Sequence, residues 1–139
     1  MILLSGSNGL LGTRLKGYFD LNKIEYFTIG RENCNFIGDI NDNSFVEQTI
    51  KKLSPRVFIN MAAITDVDYC EKNKETAYKI NTEFPSVVSK MLKLSKKNYY
   101  IIQISTDQVY DGNGPHEEKD TNPINQYSIT KNEIDKILL

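Results

Sequence analysis

Apolar positions along the chain follow two alternating spacings. Short, nearly continuous runs predict strands at Ile2–Ser5, Ile24–Ile29, Asn35–Ile37, Val57–Ile59 and Tyr99–Ile104. Between them, apolar residues recur every three or four positions, as on one face of a helix. Leu11, Leu15, Tyr18 and Phe19 share such a face, with Arg14, Lys16 and Asp20 off it. Ser44 and Glu47 have the spacing of a capping box, and Val46, Ile50 and Leu53 continue a helix that Ser54-Pro55 stops. A longer helical region turns Ala77, Ile80, Phe84, Val87, Val88, Met91 and Leu92 inward, and Pro85 kinks it or begins its second half. Residues 111–123 carry two glycines and two prolines and predict a loop; Tyr127–Leu139 predicts a final helix.

Val57–Ile59 and Tyr99–Ile104 are apolar on both faces, as parallel strands covered by helices must be. Strand–helix alternation of this kind builds right-handed βαβ units. The expected fold class is α/β, a Rossmann-like doubly wound parallel sheet formed by residues 1–139 as one unit. Such sheets bind ligands beyond the carboxyl ends of their strands, so chemistry is expected there.

Composition narrows the partners. The 139 residues carry 17 Lys+Arg and 18 Asp+Glu, for a net charge of −1. That lacks the basic excess of a nucleic-acid binder, so no nucleic acid is expected. No apolar run approaches the roughly 20 residues of a membrane span, which predicts no membrane partner. The apolar start at Met1–Leu4 lacks a basic flank and is broken by glycine, unlike a secretory leader. Cys34 and Cys70 stand apart and His116 is the lone histidine, too few ligands for a Cys/His zinc site. No metal is expected, and the thiols fit a reduced, cytoplasmic protein.

The chemistry-bearing motifs fall at predicted strand ends. Gly6-Ser7-Asn8-Gly9-Leu10-Leu11-Gly12 lies between the first strand and the first helix. In the dinucleotide fingerprint one glycine permits the turn, one admits the pyrophosphate, and one lets helix and strand pack closely. The helix N-terminus then offers N–H groups to phosphate oxygens. No Lys-Ser/Thr follows Gly12, which excludes a Walker P-loop. Arg31, nineteen residues beyond Gly12, stands where an acidic residue would select NAD. Its guanidinium can grip a 2′-phosphate, which favours NADP(H) and leaves NAD(H) open beside Glu32. Asp39 and Ile40 could hold and pack an adenine; as bare sequence, Asp39 equally fits a helix cap. Ala62, Ala63, Ile64 and Thr65 end the fourth strand with small residues, as a passing cofactor or simple packing would require.

Ser105-Thr106-Asp107 ends the fifth strand, and Tyr127 and Lys131 lie four apart on one face of the last helix. A lysine ammonium beside a phenol lowers the phenol's pKa and suits it to proton transfer near neutral pH. The Thr106 hydroxyl could bond the same carbonyl oxygen. His116 reads as a solvated loop residue and the cysteines as ordinary thiols.

Together these residues resemble the extended short-chain dehydrogenase/reductase superfamily, and within it the dTDP-4-dehydrorhamnose reductase family. The resemblance runs through Gly6–Gly12, Gly38-Asp39-Ile40, Asn60-Met61-Ala62-Ala63, Thr65-Asp66-Val67-Asp68, Ser105–Gly112 and Tyr127…Lys131. It implies a catalytic triad of Thr106, Tyr127 and Lys131. It implies cofactor contacts at Leu10–Gly12, Asp39-Ile40 and Ala63–Thr65, and sugar contacts at Thr106 and Asp107. Gln108 cannot act as the base that the related dehydratases place there, and the Ser-rich strand end of the epimerases is absent. Reduction of a nucleotide-linked 4-keto-6-deoxy sugar fits better, within polysaccharide precursor biosynthesis. Two alternatives stand: a non-catalytic NAD(P)-binding regulatory module, as the methionine adenosyltransferase regulatory subunit resembles the same family, and a nucleotide-sugar epimerase. Members of the family run to about twice this length. The chain therefore resembles their cofactor-binding half, without a C-terminal substrate domain, and is expected to bind cofactor without turning over sugar alone. An uncovered sheet edge would then permit homo-oligomers.

Overall fold

The computed structural model describes residues 1–139. Five strands, β1 (Ile2–Ser5), β2 (Tyr26–Gly30), β3 (Phe36–Ile37), β4 (Val57–Asn60) and β5 (Tyr100–Gln103), form one all-parallel sheet. The order is β3-β2-β1-β4-β5, so β1 is central and the order reverses beside it. Five α-helices lie between strands, α1 (Leu10–Leu21), α2 (Asn43–Leu53), α3 (Val67–Lys72), α4 (Lys74–Tyr78) and α5 (Phe84–Leu94), and a sixth, α6 (Gln126–Leu138), follows β5. None is long and apolar enough to cross a membrane.

Alternation along β1 distributes the core. Leu3 faces Val46, Ile50 and Leu53 of α2 and Phe84, Val88 and Leu92 of α5. Leu4 faces the other way, with Ile59 of β4 and Phe19 of α1. Burying side chains of this size stabilises by about 1.5–3 kcal/mol each, so the two faces together hold the layers in place. The expected α/β doubly wound arrangement is present.

Several local expectations are corrected. On α1 only Leu15 and Phe19 pack inward; Leu11 and Tyr18 are exposed, because the buried stripe runs through Gly12, which packs on the turn before it. The Ser44–Glu47 pair does not cap α2. Asp42 does, its carboxylate accepting from the N–H groups of Ser44 and Phe45 at 2.9 and 3.3 Å. A carboxylate at a helix N-terminus also meets the positive end of the helix dipole. β5 is not buried on both faces. Ile101 enters the core, but Tyr100 is 73% exposed and Ile102 48%, because α1 packs over β1, β2 and β4 and not over β5. α3 has no counterpart in the apolar periodicity. It begins at an Asp66 cap bonded to the Tyr69 N–H. His116 is exposed in its loop, as expected, with its ring stacked on Tyr110 at 5.1 Å between centroids.

The long helical region is continuous but changes pitch: a π-helical turn, Lys79–Glu83, joins α4 to α5. Pro85 lacks the N–H that would bond the Asn81 carbonyl in an α-helix, and the preceding turn widens. This turn sends Asn81 and Thr82, both fully buried, toward α6.

The reassigned cap gives a direct test. Asp42→Ala should cost about 1 kcal/mol, read as a fall of a few degrees in Tm. Ser44→Ala should stay within about 0.5 kcal/mol. The reverse ranking in thermal denaturation would return the cap to Ser44.

Candidate functional site

The carboxyl ends of β1, β2 and β4 meet in a small space. Gly6 has φ +66°, a left-handed conformation suited to glycine, and a Cβ there would lie 2.5 Å from the Ala62 nitrogen. A Cβ on Gly12 would overlap the Gly6 carbonyl oxygen. The turn closes with the Gly9 N–H donating to that oxygen at 3.1 Å, and α1 begins at Leu10. Asn60 ties the neighbouring strand ends together. It accepts from the Ser5 hydroxyl at 2.5 Å and donates to Gln103 Oε1 at 2.8 Å.

Above these ends lies a cavity of about 360 Å³. Of the sequence-predicted residues, Gly6, Ser7, Asn8, Gly9, Arg31, Asp39, Ile40, Ala62, Ala63 and Ile64 line it. The side chain of Asp39 accepts from the Asn41 N–H at 2.9 Å, which keeps its local turn role alongside its place in the wall. Leu10 and Leu11 point to solvent, Leu10 being 87% exposed, and Gly12 is buried behind the loop. Thr65 is exposed and lies outside the lining.

Glu32, weighed beside Arg31 in the sequence, lines the cavity too, and sequence reasoning missed Cys34, Asn41, Met61 and Ile80. Cys34 lies 3.6 Å from the Ser7 hydroxyl and donates to the Glu32 carbonyl. It also missed Asn81. From the π-helical turn, Asn81 accepts from the Ile64 N–H at 2.8 Å and donates to the Ile64 carbonyl at 3.0 Å and to Thr130 at 3.1 Å. One buried amide thereby fixes the strand-end segment and joins it to α6. The signal was Pro85 four residues on, which disrupts the helical register without saying where the amide points.

Of the expected triad, Lys131 reaches the end of β5, while Tyr127 packs against Cys70 and Ala77 and Thr106 lies just past the strand. Lys131, 2% exposed, donates to the Ile104 carbonyl, two residues before Thr106. Burial pushes its ammonium below the usual lysine range, against an opposing pull from Asp135. Asp135 in turn accepts from Ser105. Tyr127 is buried one turn earlier, beside Cys70 and Ala77. The start of α6 is pinned by an Asn125–Ser128 capping box and by Glu71 of α3, which accepts from the Gln126 N–H at 2.6 Å. The Thr106 hydroxyl accepts from the Gln108 N–H, and Thr106 and Asp107 border a second cavity of about 840 Å³ on the outer side of β5. Tyr127 and Lys131 border neither cavity.

The family model described as RmlD substrate binding domain matches residues 1–139. The chain belongs to that family. It is 33% identical over 135 residues to the dTDP-4-dehydrorhamnose reductase of Salmonella typhimurium, covering 94% of this chain and 44% of that protein. It is 30% identical to methionine adenosyltransferase 2 subunit beta of Danio rerio, covering 99% of this chain and 43% of that protein. The fold superposes on the dTDP-4-dehydrorhamnose reductase of Bacillus anthracis in complex with NADP with a TM-score of 0.84 and 28% identity, covering 99% of this chain and 48% of that one. The chain thus spans about half the length of the relatives it matches, and the matching half is the Rossmann-like one.

The buried lysine predicts a pH dependence. The unfolded chain holds the Lys131 proton more tightly than the folded one, so at neutral pH burial of the charge costs stability. As pH rises through the lowered folded value toward 10.5, the folded state sheds its proton first and the penalty shrinks. The stability of Lys131→Met relative to the unmodified chain should therefore fall from about pH 7 to about pH 10 in urea titrations. A difference that stays constant with pH would contradict this.

Proposed function

We propose that residues 1–139 form the cofactor-holding unit of an NADP(H)-dependent reductase acting on a nucleotide-linked 4-keto-6-deoxy sugar. The observation that carries this reading is the first cavity: a glycine turn too tight for any Cβ forms its floor, and Arg31 stands in its wall. A floor of bare backbone suits a pyrophosphate, and a guanidinium suits a 2′-phosphate. NADP bound to the Bacillus anthracis relative supports the same assignment. NAD(H) remains a second ligand, since Glu32 lines the cavity beside Arg31.

In this reading Gly6–Gly12 hold the pyrophosphate, with Leu10 and Leu11 contributing backbone alone. Arg31 grips the 2′-phosphate, Asp39 and Ile40 hold the adenine, and Ala62–Thr65 leave room for the nicotinamide end. A bound nicotinamide cofactor supplies the hydride that reduces the sugar at C4. Tyr127 gives the proton to the carbonyl oxygen, and Thr106 donates a hydrogen bond to the same atom. Lys131 keeps two donors beyond the one on Ile104 and holds ribose hydroxyls with them. Asp107 contacts the sugar. Placing the reacting carbon in line is worth about 7–11 kcal/mol, and the described residues hold less than half of the length that does this in the reductases they match. The chain alone is therefore expected to bind NADPH and to turn sugar over very slowly.

The likeness to methionine adenosyltransferase 2 subunit beta supports a second reading, a cofactor-binding module that serves another protein. A chimera separates the two. This chain joined to the C-terminal half of a matched reductase should oxidise NADPH with dTDP-4-keto-6-deoxy sugar. Tyr127→Phe in the chimera should slow turnover by about 10²–10⁴-fold with NADPH affinity little changed. A folded chimera that binds NADPH but turns nothing over favours the module; full activity in the Tyr127→Phe variant removes that phenol from the reaction.

A further inference from the structure

Arg31 is a poor sole partner for a phosphate carrying up to two negative charges. Glu32 follows it directly and lines the same cavity, and Asp39 lines it too, so the side chains of the wall carry one positive charge against two negative ones. A second cation is needed nearby, and α1 delivers one. Side chains on a helix lean toward its N-terminus, and Lys16, one and a half turns into α1, reaches back to the glycine turn. Its ammonium donates to the Asn8 side-chain oxygen at 3.3 Å. The Asn8 amide nitrogen donates in turn to the Glu32 carbonyl at 2.7 Å. Asn8 lines the cavity, so this relay brings the ammonium to its rim, on the side where the Arg31–Glu32 backbone passes. Lys16 takes part in none of the four ion pairs of the chain. Its half-buried side chain is spent on an amide oxygen, with no carboxylate to neutralise it.

We propose that Lys16, held by Asn8, is the second cation of the 2′-phosphate site and a determinant of the preference for NADPH over NADH. The inference rests on the cofactor reading above and adds a residue that lies in no phosphate-binding motif. Lys16 needs only to leave the Asn8 oxygen, a weak neutral acceptor, for a phosphate oxygen, a stronger charged one. Asn8 keeps its bond to the Glu32 carbonyl, so the loop that carries Arg31 stays in place while the ammonium moves.

The test compares NADPH and NADH binding by the 139-residue chain and its Lys16→Gln, Lys16→Arg and Arg31→Gln variants, by fluorescence titration. Lys16→Gln should weaken NADPH about three- to tenfold and NADH less than twofold. Lys16→Arg should retain most of the preference, because the charge is kept. Added salt should weaken NADPH binding less steeply in Lys16→Gln than in the unmodified chain. Equal loss for both cofactors, or no loss for either, would overturn the role of Lys16. If Arg31→Gln alone abolishes the preference and Lys16→Gln leaves it intact, the cofactor reading stands and this inference falls. If the unmodified chain binds both cofactors equally and Arg31→Gln changes neither, the 2′-phosphate reading falls and takes Lys16 with it.

Discussion

Three pieces of backbone meet where the sheet reverses its order, and the rest of the site depends on how closely they approach. The turn after β1 runs against Met61 and Ala62 at the end of β4, and the first turn of α1 runs against that same turn. Side chains are excluded from both contacts. A β-carbon at Gly6 would strike the Ala62 backbone, and one at Gly12 would strike Gly6. With that space empty of side chains, backbone forms the floor of the cavity and α1 starts directly beside it. Ser5, Asn60 and Gln103 then lock the three strand ends in register by side-chain hydrogen bonds. A polar chain of this kind is rigid because each buried member has its partner.

The second constraint is the way α6 is held. Its N-terminus is fixed by Asn125 and Glu71, its middle by Asn81 and Thr82 through Thr130, and its inner face by Lys131 on the Ile104 carbonyl. Three segments distant in sequence, together with the local Asn125 cap, therefore agree on one position for Tyr127. The π-helical turn is the hinge of that agreement, because it directs Asn81 to Ile64 on one side and to α6 on the other. The cavity of the glycine turn and the helix of Tyr127 and Lys131 are joined through this amide and through Ile64, which packs against the cluster of Cys70, Ala77 and Tyr127.

Much of the fold was legible because its signals are local. Continuous apolar runs mark parallel strands, and three glycines after the first run mark the turn. The errors lie where a competing partner decided. Asp42 outcompetes Ser44 for the start of α2, a choice between two good caps that spacing alone does not make. Leu11, Tyr18, Tyr100 and Ile102 look like core residues by hydrophobicity and are exposed, since burial depends on which element lies opposite. At the site, the residues on the glycine turn and the strand ends were legible as motifs. Cys34 and Asn81 were not, because each acts through a contact made across the fold.

The proposed seat of the dinucleotide in the glycine-turn cavity is open to direct measurement. Amide hydrogen exchange of the chain with and without saturating NADPH tests it most directly. New protection is expected at residues 6–9, 30–34 and 61–65, with residues 132–139 beside the second cavity unchanged. Protection confined to the second cavity, with the glycine turn unaffected by bound NADPH, would contradict it.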